Sequence, residues 1–387
     1  MYAGEILEIE NRIGGLKMTI TAYAKDLAQA AAACAKAVLK KSDFGSSSGI
    51  LFKAEGNTIT LTGYDLSTGI STTVAAMVAE AGVSVIDTRI ADILKKLPTD
   101  QVTITVQNNI AQIESGDASY NLVCMKPEDY PALPDCSDAQ SIDVPKETLL
   151  SMVRQTIFSV APLTENMKKP IHTGVRFEFS HAELKCVGVD GFRLAIRKEA
   201  TNYKGNDLSI VVPAAALSNV AALMAKENDE NVKIHAGKRH VVFATDRYSV
   251  FSRLLDGEFL NYQSAIPQTT NTTVEVDVAE MQASIERAAV IINDKIKCPL
   301  RCVIGYGKIQ FSVSTPLGKA TDTITADIKG DALEIGFNSR FLIDALKAAE
   351  TDRVAMQFIG ASGPVTIAPL QGDSFLFLIL PVRLKAE

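Results

Sequence analysis

The 387-residue chain is 47% apolar and 22% charged, the balance of a soluble globular protein rather than a disordered or membrane-embedded one. It is too long for one ordinary core and suits two or three domains; no apolar run reaches the roughly 18 residues of a membrane-crossing helix, and the first 20 residues, MYAGEILEIENRIGGLKMTI, lack the apolar stretch of a secretory leader. The net charge of −6 argues against global attraction to nucleic acid, so any phosphate contact must rest on local Lys and Arg.

Patterning begins at Met18, which makes residues 1–17 an extension ahead of the fold or the product of an early start codon. A helical pattern covers 25–41, followed by a hairpin at 49–63 (GILFKAEGNTITLTG) turning at Gly56-Asn57. A second helix is predicted over 87–97, capped by Asp87, then a strand pair over 102–113 and the closing word DYPALP at 129–134. The same order returns: a helix over 145–160 with Leu149, Leu150, Met152, Val153, Ile157 and Phe158 at helical spacing, then a hairpin at 174–189 turning at Ser180-His181. A helix over 213–226 opening on Pro213, strands over 232–244 and NYQSAIP at 261–267 complete this second unit. In the third, a helix over 277–290 begins with Asp277 and Glu280 in capping-box spacing, and a hairpin at 302–314 turns at Gly305-Tyr306-Gly307. A helix over 338–348 capped by Asn338, strands over 354–367 and the terminal LPVRL at 380–384 close the chain.

Three copies of one order, each about 120 residues long, are the organising signal. The expected class is α+β: antiparallel sheets carrying two helices on one face of each copy. The expected boundaries are 1–17 for the extension, then 18–137, 138–264 and 265–387 for the domains. Repeated domains in one chain build extended or closed assemblies rather than one catalytic pocket. The six helical spans carry +5 and the remainder of the chain −11, so helix faces are mildly basic while sheets and loops are acidic. Such a distribution tolerates phosphates on one side without gripping them, and it equally fits ordinary solvated helix faces. Cys34, Cys124, Cys136, Cys186, Cys298 and Cys302 are scattered without a CxxC pair, the pattern of reduced, mostly buried thiols in a cytoplasmic protein that holds no metal.

The element order, the phrase VDGFRLAIRK at 189–198, DGEFLNY at 256–262 and the terminal LPVRL resemble the beta subunit of bacterial DNA polymerase III, the sliding clamps. The resemblance runs from about Met18 to Leu384, and the combination of Asp190, Gly191, Arg193, Leu194 and Ala195 with a carboxy-terminal P-x-R-L carries it. It implies a homodimer of head-to-tail, three-domain protomers, closed into a ring around double-stranded DNA without reading its sequence. It implies a non-catalytic processivity factor in the cytoplasm, with no cofactor and no membrane attachment. Replicative polymerase and clamp-loader subunits would dock linear peptides into a groove between the second and third domains.

By position, the resemblance builds that groove from Val189, Gly191, Phe192, Arg193 and Leu194, from Leu260, Ser264 and Ala265, and from Leu378, Leu380, Pro381, Val382, Arg383 and Leu384. An apolar trough of this kind takes a peptide Leu or Phe, with Arg193 bonding peptide carbonyls or packing flat on the wall. The family often has Thr and His where Val189 and Phe192 stand, and Pro and Arg near Leu260 and Ser264, so this groove is more apolar and less basic. The DNA-facing set is expected to be Lys36, Lys40, Lys41, Arg154, Lys168 and Lys169.

Rival chemistry is thin. Gly45-Ser46-Ser47-Ser48-Gly49 matches the spacing of a hydrolase nucleophile elbow, but that elbow needs strand, turn, helix, whereas helix, loop, strand is predicted here. No GxxxxGK[ST], helix-opening GxGxxG or HExxH is present, so neither a catalytic nor a metal residue is assigned. If the terminal segment forms a groove wall, deleting residues 380–387 abolishes binding of a polymerase-derived peptide and spares dimerisation; unchanged affinity by fluorescence anisotropy would sink this assignment.

Overall fold

The computed structural model describes residues 17–39, 48–134, 136, 139–164, 169–292 and 298–384. The threefold repeat is explicit in it. The first copy runs from β1 (Met18–Tyr23) through α1 (Ala24–Cys34) to β2 (Gly49–Glu55), β3 (Thr58–Tyr64), β4 (Thr68–Glu80) and β5 (Gly82–Asp87). It continues with α2 (Ile90–Leu94), β6 (Gln101–Gln107), β7 (Ile110–Ser115) and β8 (Ala118–Met125). The second has β9 (Gln140–Pro145), α3 (Lys146–Ile157), β10 (Gly174–Phe179), β11 (Glu183–Val189), β12 (Arg193–Ala200) and β13 (Leu208–Pro213). It ends with α4 (Ala214–Met224), β14 (Asn231–Ala236), β15 (His240–Ala244) and β16 (Tyr248–Arg253). The third has β17 (Thr272–Asp277), α5 (Val278–Ala289), β18 (Leu300–Gly305), β19 (Lys308–Thr315), β20 (Gly318–Thr325), an extra short β21 (Asp327–Gly330) and β22 (Leu333–Phe337). It closes with α6 (Ser339–Ala348), β23 (Arg353–Phe358), β24 (Val365–Pro369) and β25 (Phe375–Ile379).

Local chemistry explains most element ends. The side chain of Asp277 accepts from the Glu280 N–H at 2.8 Å and that of Asn338 from the Arg340 N–H at 3.1 Å, so α5 and α6 start where their caps predict. Two expectations need correction. The first helix stops at Cys34, followed by a 3₁₀ turn over Ala35–Ala37, because the β-branched Val38 is extended. The second shrinks to Ile90–Leu94: Asp87 accepts from both the backbone and side chain of Arg89, spending its carboxylate on a turn ahead of the helix rather than on a cap. Pro213 ends β13, one residue before α4.

The sheets do not respect the copies. The chain divides into two compact units, Met1–Glu147 with Ala215–Leu254, and Thr148–Ala214 with Leu255–Glu387. In the first, a twelve-stranded sheet joins all eight strands of the first copy to β16, β15, β14 and β9 of the second, and β1 also pairs β4, so the first copy closes on itself. The joint is an antiparallel pairing in which Thr68–Thr72 of β4 face Tyr248–Ser252 of β16. In the second unit a nine-stranded sheet joins β13, β10, β11 and β12 to β25, β24, β23, β17 and β21, with a separate four-stranded sheet of β20, β19, β18 and β22. Its joint sets Arg193–Arg197 of β12 against Ile379–Phe375 of β25.

The two joints are built alike. Each follows a Gly-x-Asp: Gly63-Tyr64-Asp65 and Gly188-Val189-Asp190. A methyl group on Gly63 would lie 2.0 Å from the Cys34 carbonyl oxygen, and one on Gly188 2.4 Å from that of Thr156, so only glycine lets each helix end rest on its strand. The aspartates then fold the hairpins: Asp65 accepts from the N–H groups of Ser67 and Thr68, Asp190 from those of Phe192 and Arg193. A tyrosine from each closing word seals its joint. The Tyr130 hydroxyl donates to the Thr62 carbonyl at 2.9 Å, and that of Tyr262 to Glu178 at 2.9 Å.

Core burial is aromatic and aliphatic, with Phe52, Phe177, Phe243, Phe311, Phe337, Phe358 and Phe377 fully enclosed. All six cysteines are free; burial pushes the Cys34 thiol up to about 12 and raises those of Cys186 and Cys302, which leaves them protonated and unreactive. Within the second unit, Glu350 sits in the left-handed region (φ +53°) past α6 and accepts from Ser151 Oγ at 2.6 Å and Arg154 Nε at 2.5 Å. Burial opposes ionisation of Glu350, but the bonds from Arg154 and Ser151 outweigh it and hold the carboxyl below its ordinary 4.5. A depressed carboxylate stabilises the fold above its unfolded value and loses that contribution as pH falls through the folded one. With Arg154 half exposed, Glu350→Gln therefore costs about 0.5 kcal/mol at neutral pH; in urea titrations the gap from wild type narrows as the pH falls through the acid range, and a gap that does not narrow on acidification would refute the ion-pair account.

Candidate functional sites

The first candidate is built where β12 meets β25. The turn Asp190-Gly191-Phe192 joins β11 to β12, and Gly191 takes φ +91°, a conformation that L side chains avoid. That turn lifts Phe192 out of the sheet, 63% exposed. At the same joint Val187, Val189, Leu194, Ile196, Leu378 and Tyr262 form one buried cluster, edged by Phe259, Ile266 and Leu376, while the Phe192 ring lies 6.4 Å, centre to centre, from that of Phe341. After β25 the chain does not leave: the Leu380 N–H donates to the Phe192 carbonyl at 2.9 Å, and the Val382 N–H to the Gly336 carbonyl at 2.8 Å. Residues 380–384 thus run from the turn to β22.

The structure sorts the expected groove residues into three kinds. Val189, Leu194 and Leu378 are 3–4% exposed and form a floor rather than a contact surface. Phe192, Leu260, Leu380 and Val382 are large, apolar and 40–63% exposed, a candidate docking surface. Gly191, Arg383, Ser264 and Ala265 are exposed beside them, with Pro381 and Leu384 half-buried. Ser264 and Ala265 lie in a 3₁₀ turn over Tyr262–Ala265, where the Ser264 hydroxyl bonds the Asn261 carbonyl.

Arg193 is the exception. Its Nε donates to Asp190 at 2.9 Å and its Nη1 to Asp344 at 2.6 Å, while the guanidinium lies 4.4 Å from the centre of the Phe341 ring and 5.5 Å from that of Phe158. Its guanidinium is thus engaged by two carboxylates and packed against two rings. The residues that sequence reasoning missed are these partners, Phe158, Phe341 and Asp344, together with Tyr262 and Phe259. The strap carrying the last two is pinned by Glu178, which accepts from Tyr262 and pairs with Arg176 at 2.9 Å; the Arg176 guanidinium in turn lies over Phe259. Burial, then the Glu178 charge, raises the Tyr262 hydroxyl, so it stays a donor.

The second candidate is a cleft of about 570 Å³ in the first unit. One stripe of α1 and the following turn lines it, namely Lys25, Ala28, Gln29, Ala32, Ala33 and Lys36, opposite Lys95, Lys226 and Arg247. Alanines keep the wall low, and Lys25, Lys36, Lys95 and Lys226 are exposed. Arg247 is more constrained, 3.8 Å from Glu227 and 3.4 Å from Gln29. Of the expected DNA-facing set, Lys36 belongs here; Arg154 is tied to Glu350, and Lys169 is exposed before a 3₁₀ turn. Lys40, Lys41 and Lys168 lie outside the described residues, as does Ser47, but Gly49 opens a strand, the wrong order for a nucleophile elbow. Among the described residues no cluster of His, Cys, Asp or Glu could hold a metal, and no helix is long and apolar enough to cross a membrane.

Three copies of one α+β unit, fused through shared antiparallel sheets, define a clamp-type fold. The profiles of the DNA polymerase III beta subunit match nearly the whole chain: the N-terminal domain over 18–134, the central domain over 143–261 and the C-terminal domain over 263–383. The chain belongs to the DNA polymerase III beta subunit family. The beta sliding clamp of Bacillus subtilis is 31% identical over 365 residues, covering 90% of this chain and 95% of that one, and that of Halalkalibacterium halodurans is 29% identical with the same coverage. The crystal structure of the Bacillus subtilis DNA polymerase sliding clamp superposes with a TM-score of 0.89 at 29% identity, over 95% of this chain and all of that one. A putative DNA polymerase III beta subunit from Eubacterium rectale gives 0.88 at 28% identity, with the same coverage. The family is one of non-catalytic sliding clamps, and no chemical step falls to this chain.

Gly336 tests the groove wall. A methyl group there would stand 2.6 Å from the Val382 carbonyl oxygen and 2.7 Å from Leu384 Cδ2. Gly336→Ala accordingly loosens residues 380–384, raising their opening equilibrium about tenfold. Carboxypeptidase digestion followed by intact mass should trim the variant correspondingly faster than wild type; equal rates would mean that the tail is not seated there.

Proposed function

We propose that this chain forms a homodimeric ring that encircles double-stranded DNA without sequence preference and tethers the replicative polymerase and other partners to it. The observation that carries the ring is a pair of open strand edges. β20 stands at the end of its sheet, and β8, although flanked by β7 and β5, meets β5 only at Cys124 and Met125, leaving Ala118–Val123 unpaired on one side. Both strands are eight residues long and largely exposed. Proteins normally shield such edges, since unpaired N–H and C=O groups recruit another strand. Head-to-tail pairing of β8 from one protomer with β20 of the next satisfies both and closes when the rotation closes. Val123 and Leu317, 75% and 69% exposed at these edges, gain cover by it.

The domains are placed at 18–137, 138–264 and 265–387, with 1–17 as an extension. DNA passes the helices, where Lys25, Lys36, Lys95 and Lys226 supply loosely held positive charge that permits sliding. Polymerase and clamp-loader subunits insert linear peptides against Phe192, Leu260, Leu380 and Val382. The work is done in the cytoplasm and needs no cofactor. The test is retention on nicked circular DNA after loading, by gel filtration near physiological salt, before and after linearising the circle. Retention that disappears on cutting is the expected result. Retention that survives cutting would mean direct electrostatic binding, and none with a competent loader would mean a scaffold that never meets DNA.

A further inference from the structure

Residues 1–16, MYAGEILEIENRIGGL, precede Lys17, the first described residue. Tyr2, Ile6, Ile9 and Ile13 stand four, three and four positions apart, within about 60° of one another on a helix. Glu5, Glu8 and Arg12 fall outside that stripe, and Gly14-Gly15 follow it as a helix stop and hinge. So short a helix, with Gly4 inside it, does not hold in water alone, so the stripe needs a surface. The sheet offers one where this segment leaves it. Met18 pairs with Val106, Val106 with Ala111 and Ala111 with Leu122, and the first three are buried. One residue along, level with Lys17, Gln107, Ile110 and Val123 form a row on the opposite face, and all three are exposed. The next row on that face, Thr105, Gln112 and Asn121, is polar, so Ile110 and Val123 make an apolar patch at this end of the sheet. The exit is seated, since a methyl group on Gly82 would lie 2.2 Å from the Lys17 carbonyl oxygen.

We propose that residues 2–13 dock as an amphipathic helix on this chain's own sheet, with the Tyr2-Ile6-Ile9-Ile13 stripe against Ile110 and Val123. The reach suffices: β1 to β8 is three strand spacings, about 14 Å, and a twelve-residue helix is about 18 Å long. Gly14-Gly15 supply the bend between that helix and β1. Tethering favours this occupant over a foreign peptide, because a segment joined by a few residues is present at an effective concentration in the millimolar range. Docking here needs no ring: Ile110 belongs to β7, which is paired on both edges by β6 and β8. Val123 stands on β8, so the docked segment also borders the strand edge at which protomers would join.

Amide hydrogen exchange read by mass spectrometry on the full-length chain tests this, with a synthetic peptide of residues 1–16 as the undocked reference. Fragments from 1–16 are expected to exchange about tenfold more slowly in the protein than in the peptide. Ile110→Lys, and separately Ile6→Lys, should return them to the peptide's rate while fragments covering β2 and β3 keep wild-type exchange. Ile6 lies ahead of the folded units, so its variant reports even if Ile110→Lys fails to fold. Exchange at the peptide's rate in wild type would overturn the docking. Slow exchange that survives both substitutions would overturn this surface as the place. Light scattering on the same samples over a range of protein concentrations separates the two subunit arrangements. Slow exchange that persists where no dimer forms supports docking on the chain's own sheet and counts only against the ring. Slow exchange that appears only as dimer forms would assign the segment to a neighbouring subunit and overturn the proposal.

Discussion

Antiparallel pairing across copies is the constraint on which the rest depends. A strand satisfies its backbone groups only when both edges are paired or solvated, and each copy ends with an edge that its own strands leave open. β4 and β12 offer those edges, and β16 and β25 take them. With the register Leu194↔Leu378 fixed, the position of every groove residue follows, because a shift by one residue would turn each side chain to the other face.

The joint also explains why an apolar surface is left exposed. β25 ends at Ile379, but the chain continues past the Asp190 turn to β22, with Leu380 bonded at Phe192, Val382 bonded at Gly336 and both side chains left exposed. Packing supplies the rigidity. Arg193 is held by two carboxylates and lies against two rings, and the strap is held by the Tyr262–Glu178–Arg176 chain, so side chains around the joint are fixed by buried partners.

The first joint is built by the same device. Tyr64, Val85, Tyr130 and Phe251 cluster there as Val189, Leu194, Tyr262 and Leu378 do at the second, and Leu133 packs in from the connection as Ile266 does. At the first joint the chain runs on into the next copy, whereas at the second the terminal residues 380–384 supply one wall.

Helix spacing, caps at Asp277 and Asn338, hairpin turns and the three closing words were legible in the sequence because they are local: each depends on residues within a few positions. Even the α1 stripe that lines the cationic cleft was present at helical period, though Lys25 stood unremarked in it. The length of the second helix was misread because Asp87 had a nearer use than capping. The groove residues came from resemblance to a family, not from periodicity, since Val189 and Leu378 look like any buried strand residues. Only the tertiary structure decided which copies share a sheet, that Gly63 and Gly188 admit helix ends, and that Arg193 is bound by Asp344, 151 positions away. Nothing in the local sequence encodes such pairings. They are chosen when backbone edges, ring faces and charges from distant segments are buried together and each must find a partner.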